Sequence, residues 1–293
     1  MLDKQWESMN KKVAKNCMLI LCVNWGVFAE LSYAIKHSLE ELGLENIEIL
    51  DESQFDRNKM VRDMYIVIKA FRPFTGNMLP PNSIKILYQP EECWNRRERG
   101  SYDLSGGWDR VLELYDENVK IPRGTNNVVH CPIGYSPAFE TDLPEVEEDI
   151  DVLFFGSMTE RRTLFRNQLA EDGYNVNFLE HVYGKERDEF IMRSKIVINI
   201  KAHDMWSYGP LHCLLSQCKK KFTLSEKGNG GYGPFVVGRH FMEYDGIDDL
   251  KKKLDYWLPR DKERKQFAEV AYNDMKENCD FTKYIKNGLR RMI

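Results

Sequence analysis

Several features that mark special classes of protein are missing from this sequence of 293 residues. No apolar run approaches the roughly 20 residues that span a bilayer, and residues 1–15 are too polar to hold the apolar core of a signal peptide. The formal net charge is only -4, and the 30% of residues that are charged carry both signs. This balance disfavours a nucleic-acid partner, because polyanion binders concentrate positive charge. We therefore expect a cytoplasmic protein without a transmembrane segment.

The cysteines offer neither a disulfide framework nor a metal site. Seven are present, an odd number, and several lie inside apolar runs such as residues 17–22. Cys213 and Cys218 are too far apart for a CxxC pair, and no second pair with histidine partners completes a zinc set. The pattern predicts reduced core thiols, a reducing compartment and no protein-bound metal.

Short apolar runs alternate with helical patterns from about residue 17 onward, which is typical of parallel strands joined by crossover helices. The first series begins with a strand at 18–23 and a helix at 29–42 that ends at Gly43. Further strands are predicted at 47–50, 65–68, 84–88, 111–114 and 128–130. Residues 132–149 lose this periodicity and contain three prolines and an acidic run, which predicts a linker.

A second series of elements restarts after the linker. Strands are predicted at 151–155, 176–179, 196–200, 221–224 and 241–244, and helices at 159–171, 185–193, 211–218 and 247–257. We therefore predict an α/β protein with two Rossmann-like doubly wound domains, residues 1–140 and 150–260, that face each other across a cleft. Helices within residues 261–293 are expected to pack back across the domains.

The turn after the first strand of the second series resembles a phosphate-binding turn. Gly156 and Ser157 follow a buried strand and open a helix that carries Arg161 and Arg162, so backbone N–H groups and cationic side chains could meet a diphosphate. An ordinary turn capped by Ser157 or Thr159, with the arginines on a solvated face, explains the same residues equally well.

The loop at Val182 and Tyr183 also follows a predicted strand. It offers backbone hydrogen bonds and an aromatic ring to a nucleotide base. A surface helix whose charges pair at i,i+4 accounts better for Lys185, Glu186 and Glu189.

Five further residues gather where two strands of the second series end. Lys201 and His203 come just past one strand, Tyr208 and His212 flank the start of the next helix, and Glu226 ends the following strand. A carboxylate at a strand end can accept two hydrogen bonds from a ribose diol, while a histidine or lysine can neutralise phosphate charge. A structural role explains each residue alone, but their position at one sheet edge favours a ligand site.

Residues 151–258 resemble the donor-binding domain of GT-B glycosyltransferases, particularly the spore-maturation-type and group-one transferases. The matching segments are Phe-Phe-Gly-Ser at 154–157, Tyr-Gly-Lys-Glu-Arg at 183–187, Ser-Lys-Ile-Val-Ile-Asn-Ile at 194–200, Phe-Thr-Leu-Ser-Glu at 222–226 and Phe-Met-Glu-Tyr-Asp-Gly at 241–246. The resemblance implies a metal-independent glycosyltransferase with no tightly bound cofactor, whose co-substrate is a nucleoside diphosphate sugar, with a UDP-sugar expected.

The resemblance also implies roles for individual residues of the donor site. It assigns Gly156, Ser157 and Arg161 or Arg162 to the diphosphate, the loop at 182–183 to the base, and Glu226 to the ribose. The sequence departs from the family at 211–215, where many relatives carry an Arg followed by a Glu. His212 would replace that arginine as a phosphate contact, and the missing acidic residue weakens the usual sugar-binding pair.

The N-terminal domain would then bind the acceptor. Asn24, Trp25 and Gly26 follow the first strand and could approach a sugar, although ordinary packing also explains Trp25. Tyr135 lies in the segment 130–137, which supports the resemblance in this half of the chain, and is placed in the same acceptor cleft.

A hydroxyl nucleophile also needs a proton acceptor within hydrogen-bond reach. Glu91 and Glu92 follow the fourth strand and are the candidate base for an inverting reaction. An acidic helix start is the competing interpretation of these two residues.

Two other functions are compatible with this fold. A non-catalytic nucleotide- or carbohydrate-binding protein would use the same cleft, and the departure at 211–215 favours it. A transferase acting on modified DNA bases would keep the donor site and replace the acceptor, otherwise expected to be a glycan, a protein or another hydroxyl compound. The negative net charge argues against the DNA acceptor.

Overall fold

The computed structural model describes residues 18–22, 25–56, 58–68, 74–92, 106–120, 127–203 and 208–290. The chain divides into two units, Met1–Ala138 together with Phe281–Ile293, and Phe139–Asp280. Each unit is built on one sheet, as the two predicted series of strands require.

The first unit contains a six-stranded sheet in the order β2-β1-β3-β4-β5-β6. Its strands are β1 Met18–Cys22, β2 Ile47–Asp51, β3 Met64–Ile68, β4 Ile84–Gln89, β5 Arg110–Glu113 and β6 Val128–His130. All neighbouring strands are parallel. Parallel sheets are covered on both faces, which explains why the central strands β1 and β3 read as continuous apolar runs. The helices are α1 Trp25–Glu41, α2 Asp116–Val119 and α8 Phe281–Leu289.

Helix α1 begins at Trp25, four residues before the predicted start. Gly26, in its first turn, is a poor helix former and suggested a loop. Phe28, Leu31 and Ile35 are all buried along the helix, and this packing outweighs the low propensity of one glycine.

The second unit contains a five-stranded sheet in the order β11-β10-β9-β7-β8. Its strands are β7 Ile150–Phe155, β8 Val176–Leu179, β9 Ser194–Asn199, β10 Phe222–Glu226 and β11 Met242–Tyr244. The helices are α3 Glu160–Glu171, α4 Gly184–Arg193, α5 Pro210–Gln217, α6 Gly246–Trp257 and α7 Asp261–Asn278. The core of this unit forms between the sheet and these helices and includes Phe154, Ile198, Leu224 and Leu250.

Strand order reverses at one place in the second sheet. The chain passes from β7 to β8 on one side, and the next strand, β9, pairs with the other side of β7. In sheets of this kind, ligands bind beyond the carboxyl ends of the strands at such a reversal. The ends of β7 and β9 are therefore the first place to look for a site.

The last helix, α8, belongs to the first unit although it follows the second in sequence. The Phe281 N–H donates to the Tyr135 carbonyl over 3.0 Å. At the other end of the helix, Arg110 Nη1 donates to the Gly288 carbonyl over 2.8 Å. The helix therefore completes the fold of a unit whose other elements lie at least 140 residues earlier.

The linker predicted at 132–149 contains a short 3-10 helix at Pro137–Phe139, and residues 140–149 contain neither helix nor strand. The acidic end of this segment is nevertheless fixed to the second unit. Lys221 Nζ donates to Glu148 over 2.6 Å, and Arg193 Nε donates to Asp149 over 2.8 Å. The described cysteines, Cys22, Cys131, Cys213, Cys218 and Cys279, are free thiols in buried positions, as predicted.

Candidate functional site

The turn after β7 lies at the reversal of strand order and depends on a glycine. Gly156 has a φ of 139°, a conformation that other residues rarely adopt, and a Cβ at this position would lie 3.3 Å from the Phe154 ring. The Gly156 N–H donates to the Leu179 carbonyl over 2.9 Å. The turn leads into α3, whose N-cap is Thr159, because its hydroxyl accepts from the Arg162 N–H over 3.3 Å.

Glu226, at the end of β10, is held by three donors. Arg161 Nη1 donates to Oε2 over 2.7 Å, Arg161 Nη2 donates to Oε1, and the Lys201 N–H donates to Oε2 over 3.0 Å. The side chain of Glu226 is 5% exposed and that of Arg161 is 22% exposed. A bidentate pair of this kind is among the stronger charged contacts in proteins. The predicted phosphate ligand and the predicted ribose ligand therefore bind each other.

Arg162 is also bound by protein atoms at this edge. Its Nε and Nη2 donate to the Ile200 carbonyl over 2.9 and 2.7 Å, and Nη1 donates to the Ser157 carbonyl over 2.6 Å. The guanidinium lies 5.0 Å from the centre of the Phe154 ring. The alternative that placed the two arginines on a solvated helix face is wrong, since both fasten α3 to the ends of the neighbouring strands.

Lys201 and His203 follow β9 at the same edge. The backbone of Lys201 contacts both members of the ion pair: its N–H donates to Glu226, and its carbonyl accepts from Arg161 Nη1 over 3.3 Å. The Lys201 side chain is half-buried and His203 is exposed. Their assignment to a ligand stays a prediction.

His212 lies flat against Phe155 in the first turn of α5. The ring centres are 3.9 Å apart and the planes differ by 6°, and a second stacked contact joins the imidazole to Phe154 over 5.6 Å. Burial, with the positive charges of Arg162 and Arg187 nearby, lowers the pKa of His212 to about 3. The imidazole is therefore neutral at physiological pH in the ligand-free chain, and its assignment to a phosphate stays a prediction. Among the described residues, its Nε2 is buried without a hydrogen-bond partner.

The prediction that Tyr208 lines the ligand site is not supported by its surroundings. The residue is fully buried, and its ring stacks on Phe241 with 4.5 Å between centres and also contacts Tyr232 and Phe235. The Tyr208 N–H donates to the Gly230 carbonyl over 3.0 Å. Tyr208 therefore packs the glycine-rich loop at residues 227–234 against the rest of the second unit.

The loop after β8 presents the predicted base-binding residues. Val182 is half-buried, and Tyr183 is 39% exposed and precedes α4, where Gly184 has a φ of 57°. Their contact with a base stays a prediction.

A buried charged cluster, which was not predicted, joins α4 to the residues just after α5. Arg187 Nη2 donates to Asp188 over 2.7 Å, Lys219 lies 3.2 Å from the same carboxylate, and all three residues are buried. The Arg187 guanidinium also lies 5.4 Å from the centre of the Phe155 ring. The alternation of charges in α4 suggested a solvated face and gave no signal for this burial.

In the first unit, Glu91 and Glu92 follow β4 as predicted for the candidate base. Glu92 is 4% exposed, Glu91 is half-buried, and the Glu91 carbonyl accepts from Asn118 Nδ2 over 2.8 Å. Their catalytic role stays a prediction.

The predicted acceptor residues divide among different positions of the first unit. Trp25 is the first residue of α1 and makes an edge contact with Tyr33, with ring centres 6.1 Å apart, and Gly26 is half-buried. Tyr135 is buried and its carbonyl binds the start of α8. Asn24 lies outside the described residues.

Further polar groups at the carboxyl edge of the first sheet were not predicted. Gln89 and Glu113 are register partners at the ends of β4 and β5 and are both fully buried, and Asn118 Nδ2 donates to Glu113 over 2.9 Å. Burial and a hydrogen bond with Asp116 raise the pKa of Glu117 to about 7. Glu113 ends an apolar strand, and this position was a usable but overlooked signal.

Metal and membrane features were sought in the described part of the chain. It contains no group of three or more His, Cys, Asp or Glu residues that could hold a metal ion. Among the same residues, no helix combines the length and the apolar character that crossing a bilayer requires.

Comparison with known proteins gives distant relatives in sequence and clear ones in structure. No protein-family model matches the chain. Two proteins of Acanthamoeba polyphaga mimivirus, named Uncharacterized protein L140 and Uncharacterized protein R358, are 25% and 29% identical over 184 and 200 residues. These matches cover 59% and 63% of the chain, and the chain spans 58% of the first relative's length and 68% of the second's.

Three solved structures share the fold over almost the whole chain. A glycosyltransferase from Rickettsia africae has a TM-score of 0.59 at 12% identity, covering 94% of this chain and 97% of its own. HepE from Anabaena, in complex with UDP and glucose, has a TM-score of 0.59 at 10% identity, covering 92% and 98%. The β-glucosyltransferase of phage T4, in complex with UDP and Mn²⁺, has a TM-score of 0.56 at 12% identity, covering 94% and 99%. With two Rossmann-like units in tandem, the chain has the GT-B fold of these glycosyltransferases.

Proposed function

We propose that the protein is a glycosyltransferase that moves a sugar from a nucleoside diphosphate sugar, most simply a UDP-sugar, to a hydroxyl acceptor. The observation that carries this proposal is the carboxyl edge of the second sheet. There Glu226, Arg161, Arg162 and the backbone of Lys201 converge at the reversal of strand order. The fold is compatible with this function but does not by itself establish it.

The donor would be bound by backbone groups as much as by charge. Helix α5 begins at Pro210, which has no N–H, and its N-cap Gly209 makes no side-chain cap, so the N–H groups of Leu211 and His212 would be the ones offered to an anion. Helix α3 starts at the neighbouring strand end, after the Gly156 turn. Helix N-termini and guanidinium groups stabilise a departing diphosphate without a bound metal. The proposal therefore includes metal independence, and excess EDTA should leave the rate of transfer unchanged.

A thermal-shift panel of nucleotides and nucleotide sugars tests the donor site. A ligand at 100 times its Kd stabilises the folded state by about 2.7 kcal/mol, which corresponds to a rise in Tm of roughly 5 °C for a protein of this size. We expect a nucleoside diphosphate and its sugar to give this rise, and no response to any member would refute the proposal.

The variant for this test follows from the contacts of Glu226. Glu226→Ala would leave the half-buried Arg161 without its carboxylate and would disturb the fold, so Glu226→Gln is the better change. We expect Glu226→Gln to lose most of the nucleotide shift, while the exposed Glu263→Gln in α7 keeps it. Equal shifts in both variants would remove Glu226 from the site.

Turnover separates a transferase from a non-catalytic binding protein of the same fold. Transferases slowly hydrolyse their donor when no acceptor is present. Release of free nucleotide from the nucleotide sugar that gives the largest shift supports the enzyme. Tight binding without any release supports the binding protein.

The salt dependence of binding distinguishes a DNA acceptor from a glycan or protein acceptor. A DNA acceptor predicts binding of duplex DNA that weakens steeply with salt, because released counterions dominate the affinity. A glycan or protein acceptor predicts no such dependence.

A further inference from the structure

Glu226 has fewer open acceptor positions than a ribose diol requires. A carboxylate accepts about four hydrogen bonds, two on each oxygen. Oε2 already accepts from Arg161 Nη1 at 2.7 Å and from the Lys201 N–H at 3.0 Å, so it is filled. Among the described residues, Oε1 accepts from Arg161 Nη2 alone, which leaves one position on this oxygen.

Arg161 is held in place by more than the carboxylate. Its Nη1 also donates to the Lys201 carbonyl over 3.3 Å, and its guanidinium lies 4.8 Å from the centre of the Phe165 ring. Phe165 is itself buried in the core of the unit. A guanidinium with a carboxylate, a carbonyl and an aromatic face as partners resists displacement by a neutral hydroxyl group.

We propose that Arg161 is a positioning residue that leaves Glu226 one acceptor site, on Oε1, so that the second unit recognises a single ribose hydroxyl and not the diol. This inference rests on the proposed nucleotide site and makes it more specific. A nucleotide that lacks the recognised hydroxyl loses a hydrogen bond to a charged group, whereas one that lacks the other hydroxyl loses no bond to Glu226. The two positions of the ribose are therefore unequal.

Calorimetric titration with UDP, 2′-deoxy-UDP and 3′-deoxy-UDP tests this inference on the full chain. Loss of one hydrogen bond to a charged group weakens binding about 10- to 100-fold. We expect one deoxynucleotide to bind that much more weakly than UDP and the other to bind within about threefold of it. Equal losses for both would mean that Arg161 gives way to the diol, and no loss for either would place the ribose elsewhere. Both results overturn the inference while leaving nucleotide binding intact, whereas absent binding of all three would refute the proposed UDP site itself.

A pair of arginine variants tests the positioning role separately. Arg161→Lys keeps the positive charge but cannot make the bidentate contact, so a second acceptor position opens on Glu226. We expect the difference between the two deoxynucleotides to shrink to less than about threefold in this variant. Arg166→Lys, on the same helix but exposed and hydrogen-bonded to its neighbour Asn167, is the matched control and should keep the full difference. An unchanged difference in Arg161→Lys would assign Arg161 a structural role only.

Discussion

The buried imidazole of His212 makes the stability of the second unit depend on pH in a calculable way. In the unfolded chain a histidine titrates near its ordinary pKa of 6.5, whereas in the folded protein the pKa of His212 is about 3. The unfolded state therefore binds a proton between these values and the folded state does not. The stabilisation is complete above about pH 6.5 and is lost as the pH falls towards 3.

The size of this effect follows from the pKa difference. Each unit of pH below the unfolded pKa lowers the free energy of unfolding by about 1.4 kcal/mol. Between about pH 8 and about pH 5 the loss attributable to His212 comes to about 2 kcal/mol. This is a large share of the total stability of an ordinary domain, which is about 5–15 kcal/mol.

The assay compares the chain with His212→Phe, which keeps an aromatic ring against Phe155 and removes the titrating group. Urea unfolding of both proteins at about pH 8 and about pH 5 isolates the contribution of residue 212, because all other titrating groups are shared. We expect the wild type to lose about 2 kcal/mol more than the variant.

A direct measurement of the pKa completes this test. Six histidines give six imidazole signals in a proton–carbon NMR spectrum, and the signal missing from His212→Phe identifies His212. This signal should keep the position of a neutral ring down to about pH 4. A titration midpoint near 6.5, or equal losses of stability in the two proteins, would refute the account of a buried neutral imidazole.

Two further substitutions test packing and ion pairing. Gly288→Ala should destabilise the first unit by about 1 kcal/mol in urea unfolding, because the added Cβ would lie 3.0 Å from Leu112. Alanine by itself favours helix, so the exposed Asn287→Ala is the control. A Gly288→Ala variant more stable than the wild type would contradict this packing. Lys221→Met should cost about 2 kcal/mol in urea unfolding, because Glu148 loses the nearer partner of a pair whose side chains are only 9% and 16% exposed and keeps only the longer 4.0 Å contact with Arg264. Adding Glu148→Gln should recover part of that loss, and a cost below about 0.5 kcal/mol would mark an ordinary surface pair.

The positions of strands and helices followed from local patterns, and this is why they could be predicted. Residues 65–68 and 152–155 are continuous apolar runs and lie in β3 and β7, because strands buried on both faces leave this pattern in the sequence. Helix α8 was also predicted as a helix. Its membership of the first unit could not be derived from its own residues, because the contacts of Gly288 lie with β5 and the segment after β6.

The contacts within the site could not be predicted from local patterns, because they join distant parts of the chain. Arg161 and Glu226 are 65 residues apart, and each was assigned separately to a ligand on chemical grounds. Tyr208 was assigned to the site for its position beside the start of a helix, but its burial depends on packing against Phe241, 33 residues later in the chain. Side chains that are chemically suited to a ligand are equally suited to one another.

This pairing changes how the carboxyl edge of the second sheet would hold an anion. The charges of Arg161 and Glu226 compensate each other, and His212 is neutral, so three of the polar groups predicted to act on the donor contribute no net charge. Arg162, which is half-buried and fixed by carbonyls, and the N–H groups that follow Pro210 in α5 would then supply the positive potential. Salt screens partly buried charges less than exposed ones. A nucleotide bound in this way should therefore lose little affinity as ionic strength rises, in contrast to one held by free lysines and arginines.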